Sequence, residues 1–256
     1  MRDKDEGFTI SELIIAIFLS GLILGLIMTF TFSYWSYGTA AEADLDSYVE
    51  RLNTADILRD YFGASSGLIN QNGIPDAHPE SIDTSVNPEN YWTLIHAIPG
   101  TFTTPTSGAQ PILYFRRPSL TNANAYIMNG SIPYEDEFMI YIDGPSKQLR
   151  MRTLANPNAT GNRQTTSCAG IYISVSCPTD RTLIKNVSSV ATRYFSKSGT
   201  TIDYTSSTDI LTGLYNGPDF PTVEVVELTI KLTYKPVFSK QTTSNETIIR
   251  IALRNT

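Results

Sequence analysis

An α+β fold, one long N-terminal helix packed on a C-terminal antiparallel β-rich head, is predicted by three features of this sequence. The first is a run of 29 residues, 13–41, between Glu12 and Glu42, that contains no Asp, Glu, Lys or Arg. The second is the three- and four-residue recurrence of apolar side chains that follows it, from Leu45 to Phe62. The third is period-two alternation in the last third of the chain, clearest from Val226 to Tyr234.

The apolar run comes first. Residues 13–32 are 20 residues of mostly Leu, Ile, Phe, Gly and Met, which matches the number a helix needs to cross about 30 Å of hydrocarbon. Tyr34, Trp35 and Tyr37 follow it, rings of the kind that settle at a membrane–water interface. A cleavable secretory signal ending at Ala41-Glu42-Ala43 fits poorly. The leader carries Arg2 and Lys4 against Asp3, Asp5 and Glu6, and the apolar run is longer than such signals use. An ordinary single-pass anchor explains the run but not the order of residues before it.

That order, Gly7-Phe8-Thr9-Ile10-Ser11-Glu12-Leu13-Ile14-Ile15-Ala16-Ile17, resembles the class III signal peptide of type IV prepilins and type II secretion pseudopilins. The family pattern is a short charged leader ending in Gly, then Phe, then a Glu five residues into the mature chain and a long apolar helix. The resemblance implies a leader over 1–7, leader cleavage between Gly7 and Phe8 by a prepilin peptidase, and N-methylation of the new Phe8 amine. It also implies that Glu12 acts in assembly by pairing with the Phe8 amine of an adjacent subunit. A carboxylate at the edge of a spanning helix costs up to a few kcal/mol if it goes deep, so it needs a partner or a role. Snorkelling to the headgroups is the alternative for Glu12. The helix-breaking Pro that major pilins often carry is replaced here by Thr29, with no Pro before Pro75. Gly21 and Gly25 remain, either as points of helix flexibility or as a close-packing face.

Along the helix the transmembrane or filament-core half is expected over 8–35 and an amphipathic half over 36–66. Leu45, Tyr48, Val49, Leu52, Ala55, Leu58 and Phe62 form its apolar face, while Asp44, Asp46, Glu50, Arg51, Asp56 and Arg59 fill the others. One continuous helix from about Phe8 to Phe62 would be roughly 80 Å long, with Gly63 and Gly67 as stop signals. The head is expected over 67–256. Its first part, 69–106, is rich in Pro, Asn and Ser and reads as loops around one strand over 91–98. Strands follow at 112–116, then at 137–143 and 148–154 as a hairpin around Gly144-Pro145-Ser146-Lys147. Val226, Leu228, Ile230, Leu232 and Tyr234 alternate with polar residues and pair with a strand carrying Ile249, Ile251 and Leu253. The stretch 236–246 is expected as an exposed loop between them.

The net charge of -6 and the scattered basic residues, apart from Arg116-Arg117, leave no footprint for nucleic acid. Asp76, His78, Glu80 and Asp83 are the one cluster resembling a metal site, but they lack recognised ligand spacing, so no metal and no cofactor are expected. With His78 and His96 the only histidines, and no nucleophile, metal or phosphate signature, the chain does not read as an enzyme. Cys168 and Cys177 are the only cysteines. In an extracytoplasmic head a disulfide is expected, two buried free thiols being the alternative. Asn129, Asn158, Asn186 and Asn245 open Asn-x-Ser/Thr triplets, a number that chance supplies in a chain so rich in Ser and Thr.

The function implied is a structural subunit of a type IV pilus or related filament, a minor one that acts in assembly, at the tip or in adhesion. The alternatives are a minor pseudopilin of a type II secretion system and a membrane-anchored binding module. Prepilin peptidase, other pilin or pseudopilin subunits, a membrane assembly platform and membrane lipid are the implied partners. The implied location is a single-pass cell membrane with the head outside, then an extracellular filament.

Overall fold

Residues 10–63 form a single α-helix, α1 (Ile10–Gly63), of 54 residues. The computed structural model describes residues 9–69, 73–76, 100–168, 177–202, 223–235 and 242–253. The expected strand over 91–98 lies outside them, as do His78, Glu80, Asp83 and His96. Helix formation follows from the absence of Pro and from the expected apolar periodicity. The chain turns at Ala64, where the Ser65 amide donates to the Phe62 carbonyl at 2.9 Å.

By contacts the chain divides into two compact units. One comprises residues 1–47 with 235–243, and the other comprises 48–234 with 244–256. The second unit holds two sheets. The first has the order β1-β3-β6-β7-β8, made of Gly67–Ile69, Ala109–Pro118, Glu135–Asp143, Gln148–Leu154 and Arg181–Ile184. Every neighbouring pair in it is antiparallel. The second has the order β10-β9-β11-β12, made of Thr201–Ile202, Val187–Phe195, Val225–Tyr234 and Thr243–Ala252, with β2 (Gly100–Thr103) also pairing with β9. A separate two-stranded hairpin joins β4 (Met128–Asn129) to β5 (Ile132–Pro133).

The β6–β7 hairpin forms with the expected bounds at the turn, Asp143 pairing with Gln148. The final pair is also as expected, β11 lying beside β12. Two differences have physical causes. β12 begins at Thr243 rather than near Ile249, because residues 243–248 join the sheet without becoming buried and so leave no apolar alternation to read. β2 and β9 escape the pattern because Gly100, Ser188, Ser189 and Ala191 dilute the apolar signal.

The first sheet has two unlike faces. Side chains opposite one another in an antiparallel pair share a face. The Phe115–Phe138 and Ile140–Met151 pairs therefore define one side, and Arg116–Glu137 and Met139–Arg152 define the other. The C-terminal part of α1 covers the apolar side. Phe62 stacks on Phe115 with ring centroids 4.2 Å apart, Phe115 stacks on Phe138 at 5.2 Å, and Tyr61 meets Phe138 edge-on at 5.1 Å. Leu58 and Phe62 are fully buried, each contributing about 1.5–3 kcal/mol of apolar burial. Thr54 ties the helix to the sheet by donating its hydroxyl to the Leu183 carbonyl at 2.6 Å.

Candidate functional site

The start of α1 is closed by a reciprocal pair. Thr9 is the N-cap: its hydroxyl accepts from the Glu12 amide at 3.4 Å, and the Glu12 Oε2 accepts from the Thr9 amide at 2.9 Å and from its hydroxyl at 2.8 Å. This is a capping box, which satisfies two backbone donors that a helix start leaves without partners. Thr9-x-x-Glu12 is its sequence signature, so the signal was present beside the resemblance. Glu12 therefore has a partner within its own chain. Gly7 and Phe8 lie outside the described residues.

Beyond the cap, α1 is apolar and long enough to span a membrane, and its most apolar window is not buried among the described residues. Large side chains from Ile10 to Tyr37 stand exposed. At Gly21 and Gly25 an added Cβ would meet nothing within 4 Å among the described residues, so no contact there requires glycine at either place. Thr29 turns its hydroxyl back onto the Gly25 carbonyl at 2.8 Å. Such a back-bond slightly weakens and bends a helix.

The expected apolar face of the amphipathic half is only partly used. Ala55, Leu58 and Phe62 are buried, whereas Leu45, Tyr48, Val49 and Leu52 are 61%, 52%, 45% and 48% exposed. They stand among Glu42, Asp44, Asp46, Glu50 and Arg51, a charge density foreign to a bilayer interior.

The head contains a buried ionic cluster that pattern reading missed. Arg152 is fully buried, with Nη1 2.6 Å from Asp76 and Nη2 2.7 Å from Asp180. Tyr141 and Ser167 donate their hydroxyls to the same Asp180 carboxylate at 2.7 and 2.6 Å. Burial by itself lowers the Arg152 pKa. Hydrogen bonding to Asp180, its charge, and the charge of Asp76 outweigh that and raise it, so the guanidinium stays cationic. Asp76 thus has an ionic partner of its own, and its companions in the sequence cluster lie outside the described residues. No group of three or more metal-ligating side chains occurs among the described residues.

Cys168 and Cys177 form a disulfide with Cα atoms 5.6 Å apart. The Cys168 amide donates to the Pro178 carbonyl at 2.8 Å, and the Asp180 amide donates to the Cys168 carbonyl at 3.0 Å. The bridge therefore sits next to the residue that holds Arg152. Two further buried carboxylates pin the head: Glu137 accepts from Arg116 at 3.1 Å and from the Gly73 and Ile74 amides, and Glu227 accepts from Arg250 at 2.5 Å.

No protein-family model matches the chain, and no curated protein matches it.

Proposed function

We propose that the protein is a minor subunit of a type IV pilus or a closely related filament, delivered through the membrane and processed after Gly7. The observation that carries this reading is the exposed row Leu45, Tyr48, Val49 and Leu52, which continues the apolar helix into a charged region. Lipid accounts for the exposed surface up to Tyr37. It does not account for apolar side chains among five nearby charges, whereas packing against the helix of another subunit does. The pilin-like sequence order from Gly7 to Ile17 supports the same reading, as does the combination of an apolar N-terminal helix with a β-rich head.

In this reading the prepilin peptidase removes 1–7, Phe8 becomes the methylated N-terminus, and Glu12 leaves its cap to pair with a neighbour's Phe8 amine. A minor pseudopilin would use the same residues, and a membrane-anchored binding module would need none of them beyond the apolar run. Intact-mass measurement of the protein recovered from sheared surface filaments tests the proposal. A mature chain that starts at methylated Phe8 is the expected result. Unprocessed protein confined to the membrane fraction would support the anchored module instead.

A further inference from the structure

The head has a cleft of about 260 Å³ where α1 ends, and Gly63, Ala64, Arg117, Asn124 and Tyr126 are among the residues that line it. Its size is near the lower end of small-molecule sites, room for one ring rather than an extended ligand.

Arg117 is the first unusual wall residue. It is 7% exposed, yet its only charged partner among the described residues is Asp60 at 3.5 Å, on a side chain that is 71% exposed. The Tyr61 ring lies 5.0 Å below the guanidinium. Among the described residues the Arg117 side chain makes no hydrogen bond, and its buried Nε–H has no acceptor. A guanidinium carries five donors, and leaving a buried donor unmatched is unfavourable.

Asn124 is the second. It sits in the left-handed region, at φ 60°, and its Oδ1 accepts from Arg163. That bond fixes the amide and leaves its Nδ2 as a further donor at the wall. The end of α1 supplies the opposite chemistry, because a helix C-terminus carries the negative end of its dipole. Tyr126 completes the cleft with a ring that is 64% exposed, beside the exposed Met128 and Ile132 of the β4–β5 hairpin.

We infer that this cleft binds a neutral saccharide, one sugar ring at a time. A sugar hydroxyl both accepts and donates, so it meets the donors of Arg117 and Asn124 without placing a full negative charge against the end of the helix. The exposed Tyr126 ring offers a flat apolar surface to the C–H face of the sugar. An anion fits less well, because the helix C-terminus carries the negative end of its dipole and Asp60 already faces Arg117. The inference rests on the head alone and is independent of how the N-terminus is processed.

The test is ligand-observed saturation-transfer NMR on the full chain in phosphocholine micelles, which carry no sugar. The probes are glucose, galactose and N-acetylglucosamine, with glucuronate and acetate as anionic controls. At least one neutral sugar should receive saturation, with dissociation at least tenfold weaker in Tyr126→Ala and restored in Tyr126→Phe. Arg117→Lys should also weaken it. The exposed Tyr126 keeps the test independent of any folding defect at Arg117. No transfer to any neutral sugar, transfer only to glucuronate or acetate, or equal transfer in Tyr126→Ala would each overturn the inference.

Discussion

Thr9 and Glu12 cap one another at the start of α1, the Glu12 carboxylate holding both the amide and the hydroxyl of Thr9. Charge and capping can be separated here, because Gln serves at this box position as Glu does. Glu12→Gln should leave membrane insertion and leader removal intact while depleting the protein from sheared filaments. Thr9→Ala should weaken the helix start by about 1 kcal/mol and leave incorporation nearer to that of the parent. Equal filament recovery for Glu12→Gln and parent would make Glu12 a capping residue only.

Leader removal should depend on Gly7. A small residue lets an extended backbone enter a narrow protease cleft, so Gly7→Ala should slow processing and a bulkier replacement should block it. Intact-mass spectrometry reads the outcome. A mature chain beginning elsewhere, for example after Ala43, would contradict the pilin reading.

Arg152 holds Asp76 and Asp180 together inside the head. Arg152→Met leaves two buried carboxylates facing each other without a cation. Removing one partner of a buried pair costs about 3–5 kcal/mol, so urea unfolding followed by near-ultraviolet circular dichroism should shift by that order. Arg152→Lys keeps the charge but not the fork, and should fall between the two. A change below about 1 kcal/mol for Arg152→Met, the usual worth of an exposed ion pair, would refute the role given to the cluster.

Reduction of the Cys168–Cys177 bridge should cost about 2–3 kcal/mol, as expected for closure of a short loop. Because Cys168 is bonded to Asp180 through the backbone, the loss should be non-additive with Arg152→Met. A double-mutant cycle with Cys168→Ala/Cys177→Ala measures the coupling. Strict additivity would mean that the bridge and the ionic cluster act independently.

The alkaline limit of the head should depend on Tyr194. Burial pushes its pKa up to about 12, against a smaller lowering by the Thr192 hydroxyl. Its folded value lies above its unfolded value of about 10, so its contribution is complete below pH 10. It is lost as the pH rises towards 12. Tyr194→Phe should flatten the fall in stability across that window, and an unchanged slope in denaturant titrations at several pH values would count against the assignment.

The helix was legible because a charge-free run and three- and four-residue spacing are both local signals. The β6–β7 hairpin was legible for the same reason, with Gly144-Pro145 marking its turn. The ionic cluster was not. Arg152 alternates with Met151 as a solvent-facing strand residue would, and its partners lie 76 and 28 residues away in connecting segments. The sugar cleft was equally hidden, since Gly63, Arg117 and Tyr126 meet only when the helix end reaches the rim of the sheet. The partly unused helix face was half visible: spacing identified Leu45 to Phe62 as one stripe, but only packing shows where burial stops.

The Thr54 contact to Leu183 spans 129 residues, and the Arg51 contact to Thr247 spans 196. Loop closure must precede both, which makes such contacts late and slow to form. Leu58 and Phe62 therefore remain uncovered during synthesis until the first-sheet strands β3 to β8 have emerged, and the Arg51–Thr247 contact waits for β12. The end of the helix is made early and sealed late. A ribosome paused ahead of β3 would present an apolar helix end to the surroundings, a window in which a holdase chaperone or premature association with another chain competes with folding.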